Sequence, residues 1–218
     1  MEVVDLTQTI EPGMSVFPGD ERPTLEAVAT HERDGFAQMQ LKLLTHTGTH
    51  VDAPAHVLPG GRTLDQLTAD QFMGTALVVD ASDCGPGRTI GPDVLARHGD
   101  LLRQVDFLLV RTGWDAHWGT PRYEGGYACL DDQALELVTS LQLKGIGFDT
   151  LSPDPVDSHD LPAHRQILER GMVIIENLCN LGQCAELGRG QGGLVQFACL
   201  PLKVRDSDGS PARAIAWA

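Results

Sequence analysis

Apolar and polar residues alternate along several short runs of this chain, each bounded by turn-forming residues. From Gln38 to Thr45, Met39, Leu41 and Leu43 fall on one side and Gln40 and Lys42 on the other, a period of two that predicts a strand. Further strands are expected at Thr75 to Asp80, Asp106 to Arg111, Gly145 to Asp149, Met172 to Ile175 and Val195 to Val204, all rich in Val, Ile and Leu. Ala212 to Trp217 reads as a closing edge strand. Helical spacing is rarer. Asp131 can cap a helix running towards Leu143, with Ala134, Leu135, Val138 and Leu141 at helical intervals. Pro92 to His98 opens with proline at the first helical position. Pro162 to Arg170 ends at Gly171, a suitable left-handed cap. Strands outnumber helices and alternate with them only in the second half, so the expected fold is mixed α/β rather than a simple doubly wound sheet. No repeat or Ser/Gly/Pro linker divides the chain, and residues 1–218 are expected to form one domain.

Composition narrows the class. A chain of 218 residues can bury a core without disulfide staples, and 42 % hydrophobic with 21 % charged residues is ordinary globular composition. The formal net charge of −14 repels phosphate backbones, which argues against a nucleic-acid partner. No run approaches the roughly 20 apolar residues of a membrane helix. The opening Met1-Glu2-Val3-Val4-Asp5 is acidic and lacks a basic signal region. Five irregularly spaced cysteines suit buried thiols in a reducing cytoplasm better than a disulfide framework.

The chemistry concentrates between His46 and His56, where His46, His50, Asp52 and His56 fall within eleven residues: His46-Thr47-Gly48-Thr49-His50-Val51-Asp52-Ala53-Pro54-Ala55-His56. Imidazole and carboxylate are standard ligands of divalent transition metals. A straight strand would hold His46 and His50 roughly 13 Å apart, too far to share an ion. A helix would turn Asp52 away from the histidine face, and Thr47, Gly48, Thr49 and Pro54 are poor helix formers. A tight loop after the Gln38–Thr45 strand is the remaining arrangement, with Gly48 supplying the bend and Pro54 stiffening the exit. A second cluster runs from Asp157 to His164, followed by Glu176 at the end of an apolar run; spacing alone does not choose between His159 and His164. Glu176-Asn177 also reads as the start of a solvated turn. There is no Gly-x-Ser-x-Gly elbow and no complete dinucleotide fingerprint, and Gly188 to Gly193 lacks a phosphate-binding lysine.

The pattern His46-x-Gly-Thr-His50-x-Asp52-x-Pro54-x-His56 resembles the cyclase-like metal hydrolases, the family of bacterial kynurenine formamidases and isatin hydrolases. The similarity runs along nearly the whole chain: Asp5-Leu6-Thr7, Phe17-Pro18-Gly19-Asp20, Arg111-Thr112-Gly113-Trp114, Gly147-Phe148-Asp149-Thr150, Glu176-Asn177-Leu178 and Ser210-Pro211-Ala212-Arg213-Ala214 all resemble family segments. The resemblance implies a swivelling β/β/α fold in a homodimer or homotetramer. It implies that His46, His50 and Asp52 hold one divalent ion, that Asp52 bridges to a second also bound by His164, and that Glu176 reaches both. Zn²⁺ or Mn²⁺ is the expected metal, and His56 the catalytic acid/base. Phe17 stands where the formamidases place a substrate-facing tryptophan. The expected reaction is hydrolysis of an N-formyl aromatic amine, N-formylkynurenine giving kynurenine and formate. Alternatives are a one-metal, Mn²⁺-dependent ring opening of a cyclic amide and a non-hydrolytic metal-containing binder. Trp114, Trp118, Tyr123 and Tyr127 offer either an aromatic wall for the substrate or packing for the loop before the Asp131 helix.

Overall fold

Strict alternation along the central strands buries two apolar faces at once. In the computed structural model, which describes residues 1–218, Leu77 and Val79 of one strand join a cluster with helix residues Val94, Leu95, Leu135, Val138 and Ile167. Their neighbours Ala76 and Val78 turn to the opposite face and meet Phe107, Leu109, Val195 and Phe197. Val/Ile/Leu-rich strands with both faces covered need no polar side.

The elements in chain order are β1 (Val3–Asp5), β2 (Thr24–Ala29), α1 (His31–Asp34), β3 (Gln38–Lys42), β4 (His50–Asp52), β5 (Met73–Asp80), β6 (Thr89–Ile90), α2 (Pro92–Ala96), β7 (Phe107–Arg111), β8 (Cys129–Leu130), α3 (Asp132–Ser140), β9 (Gly145–Phe148), α4 (Pro162–Leu168), β10 (Val173–Glu176), α5 (Leu181–Arg189), β11 (Leu194–Pro201) and β12 (Gly209–Trp217). The main sheet runs β1-β12-β11-β5-β7-β9-β10-β4, and β4 also pairs with β12. That extra pairing closes the sheet into a barrel-like ring, so the fold is mixed α/β with a closed mixed sheet. The pairs β5–β7, β7–β9 and β9–β10 are parallel, while β4, β11 and β12 pair antiparallel with their neighbours.

Several expectations are corrected. The closing strand is not at an edge: β12 pairs with β11 along one side and with β1 and β4 along the other. The strand expected over Gln38–Thr45 stops at Lys42 and leaves the main sheet for a two-stranded ribbon with β2. Its apolar side is exposed, with Met39 at 58 % and Leu41 at 55 % accessibility. The 46–56 segment is not all loop. It is a turn through Gly48 (φ +66°) followed by β4, so the segment is a bent strand and not one straight piece. The helices at 92, 132 and 162 form as expected but are shorter, and α5 covers residues that periodicity had not marked. Trp114, Tyr123 and Tyr127 pack with Leu151 in a small separate cluster, with Trp118 against it. They are packing residues and not a substrate wall.

All five cysteines are free thiols. Burial raises every one of them, those of Cys129, Cys179 and Cys184 to about 12. Since the thiolate is the reactive form, a disulfide-exchange reagent at pH 8 should titrate five thiols in denaturant but label the native protein slowly, with the least buried, Cys84, reacting first. Rapid native labelling of Cys184 or Cys199 would contradict this packing.

Candidate metal centre

Strand register assembles the site. In β4, His50 and Asp52 are two residues apart and so share a face. The antiparallel neighbour β10 places Glu176 directly opposite His50, delivering its carboxylate to that same face. On the other side β12 places Gly209 opposite Asp52. The alternate residues Val51 and Ile175 point into the other apolar cluster. His164 comes from α4, which lies on the site's face of the sheet. The turn at Gly48 folds His46 back onto Asp52, with His46 Nδ1 2.8 Å from Asp52 Oδ1. Here the sequence-based geometry holds: one glycine bend brings His46, His50 and Asp52 together.

Around the fully buried Asp52, His50 Nε2 lies 3.1 Å from Oδ1 and His164 Nε2 3.7 Å from Oδ2. Glu176 Oε2 is 3.4 Å from His50 Nε2, and Glu176 Oε1 is 3.2 Å from His164 Nε2. These approaches are close but lack hydrogen-bond geometry, and His50 Nε2, Asp52 Oδ2 and Glu176 Oε1 are left as buried polar atoms without a partner. An unpartnered buried carboxylate oxygen is costly. Two of them facing imidazole nitrogens form a donor set that a divalent cation satisfies. Ligand atoms of His50, Asp52 and Glu176 lie within 4.8 Å of one another, and so do those of His46, Asp52 and His56, with Asp52 common to both sets.

The outward nitrogens are held as well. His50 Nδ1 faces the Gly48 carbonyl at 2.9 Å, which also accepts from Asn177 Nδ2 at 2.9 Å. His164 Nδ1 faces Asp154 at 2.6 Å, and the same carboxylate accepts the backbone N–H groups of Ala163 and His164. Such partners fix the tautomer and aim Nε2 inward. Asn177, which sequence reading left open as the start of a solvated turn, is buried with φ +58° and takes a hydrogen bond from the buried Tyr123 hydroxyl. His159 is exposed and stands apart, so of the downstream pair only His164 belongs to the site.

A cavity of about 410 Å³ opens onto these groups, lined by His46, His50, His56, His164 and Glu176 and walled by Phe17, Leu44, Leu151 and Leu161. Its size suits a small organic ligand. Sequence reasoning missed Asp208. Its Oδ2 lies 2.9 Å from His46 Nε2 and 3.4 Å from His56 Nδ1. The register of Gly209 against Asp52 brings it there, and one more aspartate in an acidic chain carries no local signal.

Burial lowers the basicity of these imidazoles, but the carboxylates outweigh it. Asp52 and Asp208 raise His46 to about 9, and Asp154 and Glu176 raise His164 to about 10. His50 is raised by Asp52 and Glu176 against the same burial, and the histidines hold Asp52 well below the usual carboxylate range. His56 goes the other way, lowered by burial and by the neighbouring histidines despite Asp52.

Residues 4–155, more than half of the chain, match the sequence model of the putative cyclase family. The kynurenine formamidase of Salinibacter ruber is 30 % identical over 219 residues, covering 99 % of this chain and 97 % of that protein. The kynurenine formamidase of Bacillus cytotoxicus is 30 % identical over 215 residues, covering 98 % and 96 %. Among solved structures, isatin hydrolase A from Labrenzia aggregata superposes with a TM-score of 0.84 at 25 % identity, covering 99 % of this chain and 93 % of that one. Fold and relatives define a hydrolase with a donor set able to hold a metal ion. The chain belongs to the putative cyclase family.

Two outcomes follow. At pH 7 the raised His46 and His164 are protonated in protein stripped of metal, and an imidazolium cannot ligate. Loading with Zn²⁺ should therefore release at least two protons, and apparent affinity should rise with pH up to about 9 to 10, where those groups lose their protons unaided. Calorimetry in buffers of different protonation enthalpy counts the protons, and a count of zero would refute the exchange. Second, a Cβ on Gly209 would sit 2.5 Å from His46 Cε1 and 2.8 Å from its Nε2. Gly209→Ala should displace the ring and weaken metal binding by about 10-fold or more, read by competition with a chromogenic chelator; parental affinity would show that His46 is not a ligand.

Proposed function

We propose that this protein hydrolyses N-formyl aromatic amines to the free amine and formate, as its kynurenine formamidase relatives are named for doing, with His46, His50, Asp52, His164 and Glu176 holding the metal and His56 carrying the proton. The observation that supports this best is the shared carboxylate: Asp52 Oδ1 faces His46 and His50, its Oδ2 faces His164, Glu176 lies between His50 and His164, and the group opens onto one small cavity. Two ions, Zn²⁺ or Mn²⁺, suit that sharing. When bound there, the metal supplies acidity to water and positive charge for the developing oxyanion.

The chain's own groups do the rest. Phe17 and the leucines of the cavity wall pack an aromatic ring and exclude water from it. The amine of an aryl amide leaves only when protonated, so a group must collect a proton from the attacking water and return it to nitrogen. His56 is the candidate because its lowered basicity keeps it neutral at pH 7, ready to accept, and because it faces the cavity. His46 and His164, held protonated by their carboxylates without metal, are unsuited to accept a proton and suited to exchange one for an ion.

The likeness to isatin hydrolase A supports a second reading, ring opening of a cyclic aryl amide by the same proton carrier. We also propose a single 1–218 domain of the swivelling β/β/α type, resident in the cytoplasm, where five free thiols persist. A homodimer or homotetramer is supported by the β2–β3 ribbon and its connection, which expose Val28, Met39 and Leu41 on the strands and Phe36 between them.

The test is a panel of N-formylaniline, N-formylkynurenine and isatin with Zn²⁺- or Mn²⁺-loaded protein, following formate release or ring opening. His56→Ala should keep its metal and lose roughly 10²–10⁴-fold in kcat, least for substrates with good leaving groups. Loss of metal in that variant would make His56 a ligand; no turnover of any panel member by the parent would overturn the proposed reaction.

A further inference from the structure

We infer that Asp208 is a positioning residue for His56: its carboxylate fixes the imidazole with Nδ1–H turned away from the cavity and Nε2 turned towards the reacting atoms. The inference rests on the reading of His56 as proton carrier. It starts from how firmly Asp208 is held. The Asp208 carbonyl accepts the Ala53 N–H at 2.8 Å, three residues before His56, and the Ser207 carbonyl accepts the Leu64 N–H at 2.9 Å. The segment entering β12 is thus pinned on both sides of Asp208 to the 53–64 stretch that carries His56.

The carboxylate divides its two oxygens. Oδ1 accepts from the Thr45 hydroxyl at 3.2 Å. Oδ2 faces His46 Nε2 at 2.9 Å and His56 Nδ1 at 3.4 Å. The two rings stack with centroids 4.0 Å apart and planes inclined by 37°. An oxygen between two stacked imidazoles is satisfied by an N–H from each. That leaves Nδ1 of His46 turned to Asp52 and Nε2 of His56 as its only nitrogen free to accept a proton. One carboxylate therefore sets a ligand and the proton carrier in fixed relation, and the missing side chain at Gly209 makes room for it. Without Asp208, His56 would divide itself between two tautomers and rotate about its side-chain bonds, so that only part of the molecules would present Nε2 to the substrate.

A carboxylate that merely braced His46 would act on metal affinity alone. The experiment separates the two. Asp208→Ala, Asp208→Asn, His56→Ala and the His56→Ala/Asp208→Ala double variant are compared at saturating Zn²⁺, with occupancy measured by elemental analysis. With N-formylaniline, Asp208→Ala should lose about 10- to 100-fold in kcat with little change in KM. Asp208→Asn, which keeps an accepting oxygen, should recover much of the loss. In the His56→Ala background, removing Asp208 should cost nothing further. Thr45→Val, which frees only Oδ1, should show a smaller loss that also vanishes without His56.

A readout independent of substrate comes from ¹⁵N–¹H correlation spectra of the histidine side chains. The parent should show His56 as the Nδ1–H tautomer, and Asp208→Ala a mixture. Multiplying losses in the double variant, or a defect that added metal repairs, would overturn the inference, as would an unchanged His56 tautomer in Asp208→Ala. A parent inactive on every substrate would count against the proposed reaction, while the tautomer would still decide the role of Asp208.

Discussion

The Asp52 carboxylate is the constraint on which the rest of the site depends. It is fully buried, yet its low basicity keeps it charged. A charge withdrawn from water at that depth costs several kcal/mol unless it is paired and hydrogen-bonded. His46, His50 and His164 are drawn around it by that requirement. Each is braced from behind by a second acceptor: Asp208, the Gly48 carbonyl and Asp154. Protons can meet the requirement only in part, because Glu176 adds a second buried carboxylate and the facing oxygens stay unpartnered. A divalent cation would meet it fully. The same electrostatic demand thus explains the donor set, the raised imidazoles and the acceptors behind them.

How much of this could be read from the chain depended on how local each feature was. His46, His50 and Asp52 lie within one turn and one short strand, so spacing and the flexibility of Gly48 were enough to bring them together. His164 and Glu176 join through α4 and the β10–β4 register, more than a hundred residues along the chain; the residues marked them as part of a second cluster, and family resemblance was needed to choose His164 over His159 and to link the cluster to the first. Asp208 had neither advantage: its place follows from β12 lying beside β4, and the C-terminal strand read as an edge. The same long-range pairing made the 46–56 segment look like a loop, because a three-residue strand flanked on both sides has no periodicity of its own.

The mixed character of the sheet was legible where strands are buried on both faces, as in β5, β7, β9 and β10. It was not legible where one residue type serves two purposes. Met39 and Leu41 alternate as a core strand would, yet they decorate an exposed ribbon. Trp114, Tyr123 and Tyr127 were equally suited to a substrate wall, and solidify the loop instead. Periodicity separates the two faces of a strand; it does not report what, if anything, covers them.

The position of β4 has a consequence for how the chain reaches its native state. His50 to Asp52 pair with residues 174–176 on one side and 209–211 on the other, so the ring closes only when segments separated by more than 120 residues meet. Contacts of that span come with a large loss of chain entropy and little local compensation, which places them among the late and slow events of folding. The three-residue strand that performs this closure is the one that carries His50 and Asp52. An ion held by β4, β10 and α4 would therefore work as a clasp across the seam of the barrel, favouring the closed ring over any species in which β4 has come away. With such an ion, metal supply would bear on the persistence of the closed ring as well as on the chemistry.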